Sequence, residues 1–102
     1  SLSQAAMETL AVVAYRQPVT RAEIEQIRGV KCDYSIASLS SKGLIEEVGR
    51  KDTVGRPILF GTTDEFMNHF GISSLEQLPP LPQDLKEETE AAAAEDEQLL
   101  IP

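Results

Sequence analysis

The chain has 102 residues and a net charge of −8 at pH 7. This length is enough for one hydrophobic core and too short for two ordinary domains. No run of residues approaches the ~18 consecutive apolar residues of a membrane span, and no basic region precedes an apolar block as in a secretory signal. We therefore expect one cytoplasmic domain without a membrane segment. Because the chain starts without methionine, we also expect it to be a piece of a longer protein.

Motifs for catalysis, metals or cofactors are missing from the sequence. Cys32 is the single cysteine and His69 the single histidine, so their spacing matches no disulfide or zinc motif. His69 also lacks a matched carboxylate or cysteine, and we expect it to have a structural or surface role. The glycines at 49, 55 and 61 lack the strand–loop–helix context of a phosphate-binding loop. We predict a protein that is not an enzyme and holds no cofactor or metal.

Charge divides the chain into two unequal parts. Residues 1–82 carry 8 basic and 10 acidic groups, whereas residues 83–102 carry 1 and 7, which gives −2 for the body and −6 for the tail. We expect a folded domain over 1–82 and an acidic, flexible tail over 83–102. The tail ends with the apolar run Leu99–Ile101, which is either a docking peptide or an incidental end. The nearly balanced body argues against strong electrostatic capture of nucleic acid.

Helical periodicity and capping signals predict two helices at the start of the chain. Apolar residues recur at helical spacing over Ser3–Arg16, and Pro18 ends that run. Thr20 and Glu23 have the spacing of a capping box, in which each side chain satisfies a backbone N–H group. Gly29 then provides the stop of a short second helix. The apolar positions that define the first helix are Ala6, Leu10, Val13 and Ala14.

The pattern then predicts a third helix and a β-hairpin. The third helix covers Asp33–Lys42, with Gly43 as its C-terminal stop. Two short runs rich in branched and aromatic residues follow, Leu44–Lys51 and Pro57–Thr62. Turn-forming residues at 52–56 separate them, as is typical of a hairpin with an open tip. Apolar and polar residues alternate only in part, so the sequence leaves the strand register open.

Short helices are predicted to close the domain. Thr62 and Glu65 form a second possible capping box, and Ser73 with Glu76 repeats this spacing before a proline-rich stretch at 79–82. Three helices, a two-stranded hairpin and closing helices, in this order, are typical of a winged helix. We predict an α+β fold, mainly α, in which helices two and three form a helix-turn-helix and the hairpin is the wing. The apolar residues of the first closing helix are Phe66, Met67 and Phe70.

Basic residues at the wing tip support an alternative, a DNA-binding transcriptional regulator domain. Arg50, Lys51 and Arg56 bracket the tip, where a basic loop contacts phosphates or enters a minor groove, although Asp52 dilutes the charge. The predicted recognition helix, in contrast, offers mainly serines and Tyr34 rather than the Arg, Asn and Gln that read base edges. The sequence therefore favours binding to a protein partner over binding to DNA.

Three blocks of the sequence resemble segregation and condensation protein B. They are LSQAAMETLAVVAYRQPVTRAEIEQIRGV at 2–30, VGRPILFGTTDEF at 54–66 and LEQLPPLP at 75–82. The resemblance covers about residues 2–82 and is to the second of the two winged-helix domains of that family. The first domain, which is associated with dimerisation, has no counterpart in this chain.

The resemblance implies a non-enzymatic accessory subunit of bacterial condensin that acts in chromosome condensation and segregation. Its implied partner is the kleisin subunit and, through the kleisin, the chromosome-organising ATPase. The full-length protein is then expected to be a homodimer through the missing N-terminal domain and to be cytoplasmic and nucleoid-associated. DNA binding is expected to be weak or indirect.

The motif itself does not show where a kleisin would bind. We select large apolar side chains beyond those that a small core needs, because such side chains anchor interfaces. For each of them a place in the core is the alternative. The candidates for partner binding are Tyr34, Ile36, Leu59, Phe60 and Met67.

Overall fold

The computed structural model describes residues 2–70, with side chains described up to Asn68. The elements follow one another in the order predicted for a winged helix, which confirms the fold class. The predicted cap at 73–76 and the predicted tail at 83–102 lie outside the described residues. The elements are α1 (Gln4–Arg16), β1 (Val19–Thr20), α2 (Arg21–Arg28), α3 (Asp33–Ser41), β2 (Ile45–Arg50), β3 (Ile58–Thr62) and α4 (Asp64–Phe70).

Helix α1 forms the centre of the core. Its N-cap is Ser3, whose hydroxyl accepts a hydrogen bond from the N–H of Ala6 at 3.1 Å. Of its 13 residues, nine are buried, so the helix contacts neighbours over much of its circumference. Leu10 and Val13 are fully buried, as their helical spacing predicted. Around them pack Ile24 of α2 and Leu39 of α3, together with residues of the strands and α4.

Helix α2 has both predicted end signals. The Thr20 hydroxyl accepts from the N–H of Glu23 at 3.1 Å, and the Glu23 carboxylate accepts from the N–H of Thr20 at 2.9 Å, which confirms the capping box. At the other end Gly29 has φ +83°, a left-handed conformation that glycine adopts without strain. Its N–H donates to the carbonyl of Glu25 at 2.7 Å.

Helix α3 ends one residue before the predicted limit, and Lys42 is its C-cap. Gly43 has φ +72°, and its N–H donates to the carbonyl of Ser40. This turn directs Leu44 back into the core, where it is buried. Cys32 at the helix start provides no side-chain cap and is itself fully buried, an environment in which a thiol is unreactive.

The sheet has three strands rather than the two that we predicted. Its order is β1-β3-β2 with both pairs antiparallel, and β1 pairs through Val19 with Phe60 and through Thr20 with Leu59. Strand β1 consists of Val19 and the helix cap Thr20, which are too few residues for a strand pattern to appear in the sequence. Strand β1 exists because its partner β3, about 40 positions later in the chain, offers a free edge.

A β-bulge lies in β2 at Val48. Glu47 pairs with Phe60, but Gly49 pairs with the next residue back, Leu59, so one residue of β2 has no partner. Because side chains alternate between the two faces of a strand, the bulge shifts the phase of the rest of β2. Arg50 consequently pairs with Ile58 and lies on the same face as Ile58 and Phe60. The sequence left this register open.

The cap of α4 is Thr63, and our assignment of Thr62 with Glu65 was wrong. The Thr63 hydroxyl accepts from the N–H of Phe66 at 3.0 Å and donates to the carbonyl of Gly43 at 2.6 Å. Thr62 is still a strand residue, so it cannot serve as the cap. Its N–H and hydroxyl both donate to Oε1 of Gln17, at 2.9 and 3.1 Å.

Candidate functional site

A groove lies between the start of α2 and the wing. Its volume is about 380 Å³. Apolar side chains of β3 and two arginines line it, one from each side, so the groove combines a hydrophobic floor with cationic walls. The lining residues are Arg21, Ala22, Arg50, Pro57, Ile58 and Phe60. We call this the wing groove.

The floor of the wing groove is the face of β3 that points towards the helices. Ile58 and Phe60 are two positions apart on the strand and therefore share that face. Phe60 also packs against the core, while part of its surface stays accessible in the groove. A half-buried aromatic ring on a fixed strand is a rigid apolar contact, which is the kind of group that anchors a partner side chain.

The first cationic wall is Arg50. Because of the bulge at Val48, the Arg50 side chain lies on the same face of the sheet as Ile58. Its Nη1 donates a hydrogen bond to the carbonyl oxygen of Arg56 at 3.1 Å. That carbonyl is fixed by a tight turn in which Gly55 and Arg56 both have positive φ, +82° and +44°. Among the described residues no carboxylate forms an ion pair with Arg50. Its charge is therefore available to a ligand.

The second cationic wall is Arg21, the first residue of α2. Its Nη1 donates to Oδ1 of Asp33, the first residue of α3, at 2.6 Å. Both side chains are well exposed to solvent, so this ion pair contributes at most about 1 kcal/mol to stability. It joins the two helices of the helix-turn-helix at the edge of the groove. Tyr34 follows Asp33 on α3 and is 47% exposed, but it is not among the residues that line the groove.

A second ion pair connects the wing to α2. Nζ of Lys51 donates to Oε2 of Glu23, whose other oxygen caps the helix. The hydrogen bond from Lys51, followed by that from the Thr20 backbone N–H, holds the pKa of the Glu23 carboxyl below its usual range. The carboxylate therefore links the tip end of β2 to the start of α2.

The candidate partner-binding residues do not form one surface. Phe60 lines the wing groove, whereas Tyr34 is exposed on α3 and does not line it. Ile36 is in the core with 7% exposure, because it lies on the face of α3 that packs against α1, and it cannot be reached by a partner. Leu59 is on the opposite face of β3 from Phe60, and Met67 is exposed on α4.

The candidate nucleic-acid residues do not form one basic patch either. Arg50 is directed into the wing groove, whereas the charge of Lys51 is compensated by Glu23. Arg56 and Asp52 are both exposed in the turn at the tip. A phosphate backbone would therefore meet at most two cations here, Arg50 and Arg56, rather than the row of cations that non-specific DNA binding uses.

Of the six residues that line the wing groove, only Arg50 and Phe60 were selected from the sequence. Arg21 and Ile58 were not selected, because a helix start and a strand residue show their proximity only after the chain has folded. The available signal was Gly49, since a glycine inside a strand often marks a bulge. In the described part of the chain no group of three or more His, Cys, Asp or Glu side chains could hold a metal ion. Over the same residues no helix is long and apolar enough to cross a membrane.

Comparison with known families relates this architecture to chromosome organisation. The family model of the segregation and condensation complex subunit ScpB matches residues 1–81. This chain belongs to the ScpB family. Curated relatives agree: a segregation and condensation protein B from Geobacillus thermodenitrificans is 64% identical over 83 residues, which are 81% of this chain and 40% of the relative. One from Carboxydothermus hydrogenoformans is 64% identical over 80 residues, which are 78% of this chain and 43% of the relative.

Solved ScpB structures have the same fold. ScpB from Mycobacterium tuberculosis matches with a TM-score of 0.68 and 46% identity over 72% of this chain and 45% of that one. A protein from Chlorobium tepidum matches with a TM-score of 0.64 and 54% identity over 66% of this chain and 41% of that one. The chain spans less than half the length of these curated relatives and structures, so it corresponds to one part of an ScpB protein. ScpB proteins act in chromosome segregation and condensation as part of a condensin-type complex.

Proposed function

We propose that this chain is the winged-helix domain through which a condensin accessory subunit binds its kleisin, and that it has no catalytic activity of its own. Family membership carries the proposal, because the matched family is named for a subunit of the segregation and condensation complex. In the full-length protein, a second domain outside this chain would form a homodimer. The kleisin would connect the subunit to the ATPase and hence to the nucleoid in the cytoplasm.

The wing groove supports this proposal as a place for a protein segment. Its floor is apolar and rigid, and its walls carry the positive charge of Arg50 and the ion pair of Arg21 with Asp33, so it suits a peptide with apolar and acidic side chains. We propose Phe60 as the kleisin contact within the groove and Tyr34, Leu59 and Met67 as contacts outside it. The domain would occupy residues 1–82, and residues 83–102 would form a separate acidic tail.

The test is calorimetric titration of the full chain with the middle segment of a kleisin and, in parallel, with a DNA duplex. Both titrations are made at about 50 mM and about 200 mM salt, an interval over which a protein making 6–10 phosphate contacts loses roughly 10³–10⁵ in DNA affinity. We expect kleisin binding that persists at the higher salt concentration and little binding to DNA.

The alternative, a DNA-binding regulator, predicts the reverse result. Binding to DNA alone, with a steep dependence on salt and a loss on changing Arg50, Lys51 and Arg56, would overturn the kleisin proposal. Family membership would then indicate the fold but not the partner of this domain. The structure favours the kleisin, because Lys51 is already paired with Glu23 and Arg50 is directed into the groove.

A further inference from the structure

The wing groove has a feature that kleisin binding alone does not require: it complements a segment of this same chain. Described residues 2–70 carry 8 basic and 9 acidic side chains, a net charge of −1, so most of the negative charge lies elsewhere. Residues 83–102 carry 7 acidic side chains and one basic side chain, a net charge of −6. Opposite charges on a groove and on a tethered segment attract each other at high effective concentration.

The groove and the tail match in apolar groups as well as in charge. The tail ends in the apolar run Leu99–Ile101, directly after the acidic residues Glu95–Glu97. The groove has the corresponding arrangement, an apolar floor of Ile58 and Phe60 beside the guanidinium of Arg50. A carboxylate on a guanidinium forms a charge-assisted hydrogen bond, and an apolar side chain on Phe60 removes both surfaces from water.

The chain is long enough for this contact to form within one molecule. Phe70 and Leu99 are separated by 29 positions, because 99 − 70 = 29. An extended chain spans at most about 3.3–3.6 Å per residue, so this segment could extend to about 100 Å, far more than the width of a domain of this size. The length of the segment therefore does not prevent the end of the tail from contacting the wing groove.

We infer that the wing groove binds the acidic tail of its own chain, with Arg50 contacting the carboxylates of Glu95–Glu97 and the Phe60 floor receiving Leu99–Ile101. The tail would then act as an internal competitor for any acidic and apolar peptide that enters the groove. This inference goes beyond the proposed function and does not require that a kleisin binds there.

Paramagnetic relaxation enhancement on the full chain tests the inference. A nitroxide is attached through Gln98→Cys in a Cys32→Ala background, and its effect on backbone amide signals is recorded. We expect the amides of Ala22, Ile58 and Phe60 to lose most of their intensity at low salt. The intensity should return at 1 M salt, where the Debye length falls to about 3 Å.

Charge-matched variants separate the groove from general attraction. Arg50→Ser removes one positive charge from the groove, and Lys42→Ser removes one from the exposed C-terminal end of α3. We expect Arg50→Ser to restore the amide signals and Lys42→Ser to leave them quenched. Equal effects of the two variants, or quenching spread evenly over residues 2–70, would overturn the inference.

Mixing experiments distinguish docking within one molecule from exchange between molecules. Isotope-labelled chain without nitroxide is mixed with unlabelled chain that carries it. The inference predicts no quenching in the mixture at low protein concentration. Quenching of the groove amides in the mixture would show that the tail enters the groove of a second copy, and the inference of docking within one chain would be wrong. The kleisin titration is repeated on a variant whose tail is released by Glu95→Gln, Asp96→Asn and Glu97→Gln, and failure to bind there would refute the proposed function alone.

Discussion

The helical core and the wing of this domain differ in how their positions are fixed. Nine of 13 residues in α1 are buried, whereas in β2 only Ile45 is, and the other five residues are exposed. The helices are therefore fixed by apolar burial, and the wing by strand pairing, a bulge and the ion pair between Lys51 and Glu23. The groove is therefore formed largely by the wing, which has little buried surface, whereas the stability of the domain comes mainly from the helical core.

The largest expected effect is in the helical core. Leu10→Ala removes a fully buried side chain from the centre of α1 and should cost about 2–5 kcal/mol of unfolding free energy through lost burial and cavity formation. Val54→Ala, at the fully exposed wing tip, should change it by less than about 0.5 kcal/mol. Chemical denaturation monitored by circular dichroism measures both. Similar costs for the two variants would abolish the contrast between core and wing.

Two glycines provide a smaller and more selective test. Gly29 caps α2 with φ +83° and Gly49 lies at the bulge without a positive φ, while a Cβ atom at either position would meet no atom within 4 Å. Gly29→Ala should therefore cost about 1–2 kcal/mol from backbone strain alone. Gly49→Ala should be neutral, or stabilising by up to about 1 kcal/mol, because it restricts the unfolded chain. A larger loss for Gly49→Ala than for Gly29→Ala would contradict the assigned backbone conformations.

Adjacent threonines test the junction between the wing and α4. Thr63→Val removes the hydroxyl that accepts from the N–H of Phe66, and loss of such a cap costs about 0.5–2 kcal/mol. Thr62→Val keeps the backbone bond to Gln17 and removes only an exposed hydroxyl bond, so it should cost less. Thermal unfolding of the two variants under the same conditions ranks them. A larger loss of stability for Thr62→Val than for Thr63→Val would indicate that Thr62, and not Thr63, caps α4.

The smallest expected effect is electrostatic and depends on pH. The pKa of Glu23 is lower in the folded chain than its ordinary value of 4.5, so the ionised carboxylate stabilises the fold above that pH. This contribution should disappear as the pH falls through the lowered folded pKa. Glu23→Gln, which keeps a capping side chain, should be slightly less stable than the parent at pH 7 and equal to it in strong acid. Denaturation midpoints between pH 7 and pH 2 measure the difference, and a constant difference would contradict the assignment.

The helices could be predicted from the sequence because their signals are local. The capping box of Thr20 and Glu23, the stops at Gly29 and Gly43 and the stripe around Leu10 each depend on residues within a few positions of one another. The third strand could not be predicted, because two residues of β1 become a strand only by pairing with β3. The choice between Thr62 and Thr63 as a cap likewise depends on where β3 ends.

The candidate site was predictable only in part for the same reason. Phe60 and Arg50 were selected separately, as an apolar anchor and as a possible phosphate contact, and the bulge brings them to one face of the sheet. A shift of one residue in register moves a side chain to the other face, and the sequence did not fix that register. Ile36 was selected as a contact and is in the core, because the apolar character of a residue does not distinguish burial from exposure.

The most direct test of the proposed kleisin interface compares two tyrosines. Tyr34 and Tyr15 are 47% and 42% exposed, so a change to alanine removes a similar fraction of buried surface at the two positions. Calorimetric titration with the kleisin segment should show at least about tenfold weaker binding for Tyr34→Ala, as for an interface residue worth 1.4 kcal/mol or more, and unchanged binding for Tyr15→Ala. Unchanged affinity for Tyr34→Ala, or a loss confined to Tyr15→Ala, would contradict the proposed location of the interface.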